Sequence, residues 1–110
     1  MTVFYKPEEG WVGDVIPYSE NGILYLFYLC NRRDMPQAGT DWNLVTTRDL
    51  IHFEEHGPQQ IRGDEQSPDF NAYTGSVVKN KFGAYHLFYT GQNPRYRDED
   101  GVPAQVVMHA

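Results

Sequence analysis

A short aromatic pattern occurs twice in this chain, and it constrains the fold more than any other feature. Gly22–Leu29 reads GILYLFYL, and Gly83–Thr90, which begins 61 residues later, reads GAYHLFYT. The same spacing relates two more pairs of segments: Leu44–Thr47 to Gln105–Met108, and Trp11–Pro17 to Ala72–Val78. An internal period of this length indicates that one structural unit recurs and buries a face against its next copy.

The residues of each copy favour strands over helices. Aromatic side chains make up 15% of the chain, which is typical of sheets, and no segment keeps the apolar spacing of a helix over three turns. We therefore predict an all-β chain, a β-propeller segment of two antiparallel blades with roughly four strands each. Blade 1 is predicted at about residues 11–56, and blade 2, which is incomplete, at about residues 71–110.

The individual strands are predicted from the apolar runs and the turns between them. Asn21-Gly22 is a strong hairpin signal, and we expect a turn at Tyr18–Gly22 and a loop at Gly91–Pro103. The predicted strands are Trp11–Ile16, Gly22–Cys30, Asp41–Thr47, Ile51–His56, Asn71–Val78, Gly83–Thr90 and Gln105–Ala110. Because a closed propeller needs roughly 4–8 blades, we expect the remainder of a longer chain, or self-association, to complete the ring.

Composition and charge exclude several classes of partner. The net charge is −6 and the basic residues form no stripe, so we predict no nucleic-acid partner. No apolar run approaches the roughly 18 residues of a membrane span, so we predict no membrane partner. The chain shows no secretory signal, and we expect a cytoplasmic location. The four histidines suggest no ligand set and no phosphate-binding loop is present, so we predict no metal and no cofactor.

Asp14 interrupts an otherwise apolar inner strand and is the first candidate for a functional residue. A charged side chain between Val12 and Val15 breaks the local pattern, and such breaks are common at functional sites. The alternative is that this carboxylate satisfies a neighbouring turn. The 61-residue spacing places Asp14 level with Gly75, one residue before Ser76.

Polar and aromatic side chains of both copies could form one pocket around this carboxylate. The first strand of a propeller blade lines the central channel, and alternate side chains of a strand share a face. The hydroxyls of Thr74 and Ser76 could therefore meet Asp14, with Trp11, Trp42 and Tyr73 as walls. Carboxylates and hydroxyls bond sugar hydroxyls, and flat rings stack on the C–H faces of sugars. The alternative is that the three aromatic side chains belong to the core.

Five segments together resemble glycoside hydrolase family 32, the invertases and fructan hydrolases. Trp11–Asp14 resembles the opening Trp-x-Asn-Asp-Pro-Asn-Gly motif of that family, and Tyr73–Ser76 resembles its Phe-Ser-Gly-Ser motif. The remaining three resemblances are Leu26–Tyr28 to its second strand, Trp42–Phe53 to its Trp-Gly-His-Ala element and Leu87–Gly91 to its Leu-Phe-Tyr-Thr-Gly segment. The resemblance covers nearly the whole chain and implies a five-bladed propeller that acts on a carbohydrate substrate.

The resemblance also implies roles for individual residues. Asp14 would be the nucleophile that cleaves a fructosyl or related glycosidic bond, or the general base if the enzyme inverts, and Tyr73, Thr74 and Ser76 would hold the sugar. Two features depart from the family pattern: Gly13 replaces its Asn, and Val15–Pro17 replaces Pro-Asn-Gly. The family's Glu acid/base has no counterpart here.

Asp69 is the best second acid in the chain, and we predict it to be a sugar ligand. Without a matched acid/base we expect the chain alone to be inactive, because glycoside hydrolysis normally uses two carboxylates. The alternatives are a non-catalytic carbohydrate-binding segment and a self-assembling propeller piece.

Overall fold

The described residues of the computed structural model, 5–31 and 39–110, form seven strands in two antiparallel sheets and contain no helix. The strands are β1 (Trp11–Glu20), β2 (Ile23–Asn31), β3 (Trp42–Thr47), β4 (Phe53–Pro58), β5 (Asn71–Lys79), β6 (Tyr85–Arg97) and β7 (Pro103–His109). Sheet 1 has the order β1-β2-β3-β4, and sheet 2 has the order β5-β6-β7. The prediction of an all-β chain is confirmed. Within these residues, no helix is long and apolar enough to cross a membrane.

Two strands, β1 and β6, extend well beyond their predicted ends. β1 continues to Glu20, which pairs with Ile23, so the first turn contains only Asn21 and Gly22. Both turn residues have positive φ, 52° and 77°, as a tight two-residue hairpin requires. β6 continues to Arg97, through the first half of the segment expected to be a loop. The added residues of β1 pair with β2, whereas the β6 ladder skips residues 93–96. There the Asn93 side chain donates to Glu65 O and Ser67 O, both at 2.8 Å.

The second hairpin turn is one residue longer than the first. In sheet 2 the backbone N–H of Asn80 donates to Ala84 O at 2.9 Å, so three residues form the turn, against two in sheet 1. The spacing between the two inner strands, β1 and β5, therefore becomes 60 while that between β2 and β6 stays at 61. Asp14 thus corresponds to Thr74, and the expected correspondence with Gly75 is wrong by one residue.

The third strands depart further from the expected spacing. The ladder pairs Leu29 with Trp42 in sheet 1 and Thr90 with Val107 in sheet 2. Twelve residues separate the first pair and 16 the second, because β6 extends into a longer hairpin. Trp42 therefore corresponds to Val107 at a spacing of 65, and the expected match of Leu44–Thr47 with Gln105–Met108 is wrong by four residues.

The core lies between the two sheets and is centred on Trp42. Its side chain is 0% exposed and packs with Ile16, Ala72 and Tyr89. Its ring centroid lies 5.6 Å from that of Phe27 in sheet 1 and 6.1 Å from that of Tyr89 in sheet 2. Aromatic pairs at such separations add to the stabilisation gained from burial, so this side chain joins the two sheets.

Hydrogen bonds at both ends of the inner strands hold the sheets in register. Near their start, the backbone N–H of Ala72 donates to Thr40 O at 2.8 Å, and the N–H of Thr40 donates to Asn71 Oδ1 at 2.9 Å. At the far end, Lys79 Nζ lies 2.5 Å from Glu20 Oε1. Thr40, which precedes β3, and Glu20, at the end of β1, therefore hold the two ends of β5 against sheet 1.

Candidate active site

Each inner strand contains a β-bulge at the same place. The register shifts between Val12 and Val15 in β1, and between Ala72 and Gly75 in β5. Bulges redirect side chains and are frequent beside active sites. Asp14 is the second residue skipped by the register in β1, and Thr74 is the second residue skipped in β5.

The two bulges bring Asp14 and Thr74 into direct contact. Thr74 Oγ1 donates a hydrogen bond to Asp14 Oδ2 at 3.0 Å, and both residues are exposed. A hydrogen bond to an ionised carboxylate is stronger than one between neutral groups. It also occupies only one of the two carboxylate oxygens. Asp14 is therefore a solvent-accessible carboxylate that Thr74 orients through one oxygen. Its other oxygen, Oδ1, is not engaged by Thr74.

Small residues next to this pair let the backbones approach closely. A β-carbon at Gly75 would lie 1.8 Å from Phe88 O, so no larger residue fits there without moving a strand. A β-carbon at Gly13 would lie 3.0 Å from Leu29 O, which is a tight contact. The glycine that replaces the family Asn at position 13 therefore occupies a site with little room.

Trp11 and Ser76 are accessible on the inner strands, whereas Tyr73 is half-buried. Trp11 is 56% exposed, and Lys6 Nζ lies 4.7 Å from its ring centroid. A cation at this distance is attracted to the ring face. The sequence motifs alone did not indicate this contact between Lys6 and Trp11. Ser76 is exposed two residues after Thr74, on the same face of β5.

Trp42 and Asp69 do not lie in this accessible region. Trp42 has no exposed surface on which a sugar could stack, so the core interpretation applies to it. Asp69 is 6% exposed and accepts a hydrogen bond from the Tyr89 hydroxyl at 2.7 Å. Burial, together with that bond, raises the pKa of Tyr89 above its usual value. Asp69 therefore anchors the segment between the two sheets to β6, and it does not line the accessible region.

The turn between β3 and β4 contains a separate polar cluster. Within residues 5–31 and 39–110, no group of three or more His, Cys, Asp or Glu side chains is arranged to hold a metal ion. Asp49, in the turn between β3 and β4, accepts bonds from the N–H groups of Ile51 and His52 at 2.9 and 2.8 Å. His52 Nδ1 lies 2.7 Å from the other oxygen of Asp49.

Two antiparallel sheets that pack against each other, with a carboxylate at a bulge of an inner strand, have the arrangement expected of neighbouring propeller blades. Residues 4–110 match the family described as "Glycosyl hydrolases family 32 N-terminal domain". The chain therefore belongs to glycosyl hydrolase family 32. This confirms both the resemblance read from the five motifs and the prediction of a β-propeller segment.

Two curated relatives give the same family context. The chain is 33% identical over 89 residues to the "Levanbiose-producing levanase" of Bacillus subtilis (strain 168), which covers 76% of this chain and 17% of that protein. It is 31% identical over 88 residues to the protein of the same name from Geobacillus stearothermophilus, which covers 76% of this chain and 22% of that protein. The matched region thus spans about a fifth of the length of each relative.

Proposed function

We propose that the protein hydrolyses glycosidic bonds of fructosyl units, with Asp14 as the nucleophile. The observation that carries this proposal is the hydrogen bond from Thr74 to Asp14 across the two inner-strand bulges. Membership of a glycosyl hydrolase family supports the reaction class. The names of the two levanases support a fructose polymer as the substrate.

In this mechanism the carboxylate of Asp14 attacks the anomeric carbon of the fructosyl unit. The bond from that carbon to the leaving oxygen breaks while a second, protonated carboxyl group delivers a proton to that oxygen. Water then attacks the fructosyl ester, gives its proton to the second carboxylate and releases fructose and free Asp14. The hydrogen bond from Thr74 orients the Asp14 carboxylate for the first step.

The exposed neighbours of Asp14 suit the binding of the sugar. Trp11 offers an aromatic face for the C–H groups of a furanose ring, and the hydroxyl of Ser76 can bond a sugar hydroxyl. Lys6 lies against the Trp11 ring, so a sugar that stacks there shares the ring with a cation. Trp42 and Asp69 are not part of this proposed sugar site, because both are buried.

The proposed reaction needs a second carboxylate, about 5–5.5 Å from the first if configuration is retained. The acid/base of the family has no counterpart in residues 1–110. General acid catalysis typically contributes about 10²–10⁴-fold, so we expect no measurable hydrolysis of levan or sucrose by these 110 residues alone. Robust turnover by the purified chain that disappears in Asp14→Ala would show that self-association assembles a complete site.

The test of the proposed function uses the full-length protein as its gene encodes it. Asp14→Asn keeps the size and the hydrogen bond to Thr74 but cannot attack carbon, so we expect turnover of levan to fall by at least about 10³-fold with folding intact. Glu54→Gln, which removes an exposed carboxylate from β4, is the matched control. Near-normal turnover by folded Asp14→Asn would exclude Asp14 as the nucleophile.

A second candidate function is sugar binding without catalysis. The observation that favours it is Gly13, which removes the side chain that the family motif places beside its nucleophile. The same full-length protein separates the two functions. Calorimetric binding of levan fragments without turnover by the wild-type protein would support the binding module and contradict the hydrolase.

A further inference from the structure

The buried indole of Trp42 makes one polar contact that leads toward the candidate active site. Its Nε1–H donates to Tyr73 O at 2.8 Å, across the boundary between the two sheets. An indole N–H with no access to solvent needs a partner when it is buried. Here the partner is a backbone carbonyl of the bulge in β5 rather than a group of the core.

That carbonyl lies where the ladder of sheet 2 is interrupted. The register of β5 and β6 skips Tyr73 and Thr74, between the pairs Ala72–Gly91 and Gly75–Tyr89. Tyr73 O and the backbone nitrogen of Thr74 belong to one planar peptide group. A bond that fixes the carbonyl direction therefore also fixes the peptide plane that contains the Thr74 Cα.

Thr74 transmits this orientation to the carboxylate. Its side chain has only one rotatable angle to its hydroxyl oxygen, and that oxygen donates to Asp14 Oδ2 at 3.0 Å. The connection from Trp42 to Asp14 thus consists of two hydrogen bonds and one peptide group. Trp42 itself is held between Phe27 and Tyr89 and has no exposed surface.

We propose that Trp42 is a positioning residue for Asp14, acting through the Tyr73 carbonyl and the Thr74 hydroxyl. The inference rests on the proposed function of Asp14. In this proposal the Trp42 side chain does not contact the substrate. The Thr74 hydroxyl bonds the Asp14 carboxylate rather than the sugar. Loss of the indole N–H should therefore lower kcat and leave KM nearly unchanged.

The first test replaces Trp42 with Phe in the full-length protein. Trp42→Phe keeps an aromatic ring between the sheets but leaves Tyr73 O without its donor. Because misplacement of a catalytic group by about 1 Å can cost about 10²-fold, we expect kcat for levan to fall by about tenfold to a hundredfold. Tyr25→Phe, which removes a phenol hydroxyl from β2 outside the candidate active site, is the control and should keep its kcat.

A more conservative variant covers the case in which Trp42→Phe does not fold. Benzothienylalanine, introduced at position 42 alone, replaces the indole N–H with sulfur and keeps the shape of the bicyclic ring. If this variant folds with a normal thermal transition and has a reduced kcat, the N–H is responsible. A normal kcat in this variant would overturn the proposal.

A double-mutant cycle distinguishes positioning from general destabilisation. Thr74→Val removes the hydroxyl at nearly constant size, and Thr74→Ser, which keeps it, should retain most of kcat. If Trp42 acts through Thr74, the double variant Trp42→Phe/Thr74→Val has the kcat of Thr74→Val alone. If the two losses multiply, Trp42 acts by another route and the proposal is wrong.

The same measurements separate failure of this inference from failure of the proposed function. Inactive Asp14→Asn combined with fully active Trp42→Phe overturns only the positioning role. Active Asp14→Asn overturns the nucleophile assignment, and the positioning proposal falls with it.

Discussion

Corresponding residues on one face of the two sheets have opposite environments. Trp42 in β3 is 0% exposed, whereas Val107, its counterpart in β7, is 85% exposed. Phe27 packs on Trp42, whereas Phe88, its counterpart, is 45% exposed and stacks on His109 with 4.9 Å between ring centroids. The face of sheet 1 that carries Phe27 and Trp42 is covered by sheet 2, and the same face of sheet 2 is open.

This difference shows that the neighbouring sheet, rather than the strand itself, decides which residues are core. In repeat proteins each unit is stabilised by the units on either side. We define the open face of sheet 2 by Val78, Phe88 and Val107, which are 46%, 45% and 85% exposed. Substitutions at corresponding positions of the two sheets should therefore have unequal effects.

The largest expected effect is on the stability of the 110-residue chain. Trp42→Ala removes a fully buried aromatic side chain and should cost about 3–5 kcal/mol of the free energy of unfolding. Val107→Ala, at the corresponding exposed position, should change it by less than about 0.5 kcal/mol. Urea denaturation followed by circular dichroism measures both. Similar losses for the two variants would contradict the difference in burial between the two positions.

The open face predicts self-association of the 110-residue chain in solution. Exposed apolar patches on sheets commonly become interfaces, and an uncovered blade face lacks its stabilising neighbour. We expect sedimentation velocity to show concentration-dependent oligomers of the wild-type chain. Val107→Lys places a charge in the face and should shift the chain toward monomer. A wild-type chain that stays monomeric at all concentrations would show that this face does not associate.

The two bulges provide a second comparison between the sheets. Gly75→Ala places a β-carbon 1.8 Å from Phe88 O, and Gly13→Ala places one 3.0 Å from Leu29 O. The first change must displace a strand and should destabilise the chain by about 1–3 kcal/mol or more, whereas the second needs only a small shift. The midpoints of thermal unfolding should follow that order. Equal midpoints would mean that the β5 bulge is not as tight as described.

The smallest expected effect concerns the turn between β3 and β4. The bond from the His52 side chain, followed by the backbone N–H groups of His52 and Ile51, holds the pKa of Asp49 well below its usual value of 3.8. Because the folded-state pKa is lowered, the stabilisation is present above pH 3.8 and is lost as pH falls below it. Asp49→Asn should therefore flatten the decline of the thermal midpoint between pH 5 and pH 2.5. An unchanged decline would exclude Asp49 as its source.

Much of the fold followed from the sequence because the repeat carries matched apolar strands. The 61-residue spacing gave the wrong correspondence where a turn changed length. One extra residue before Ala84 and four before Val107 leave no mark in the apolar pattern, because turns tolerate insertions. The pairing of Asp14 with a hydroxyl of β5 was predictable, but which hydroxyl depended on that one residue. The exposed fraction of Trp42 depends on sheet 2 and could not be derived from β3 alone.

The most direct test of the proposed function is to ask whether a covalent fructosyl intermediate forms on Asp14. The full-length protein is mixed with a dinitrophenyl fructoside, quenched in acid during turnover and digested for mass spectrometry. We expect an added hexosyl residue on the peptide that contains Asp14, and a strongly reduced amount of this adduct in Thr74→Val. An adduct on another side chain, or turnover with no adduct at all, would contradict it.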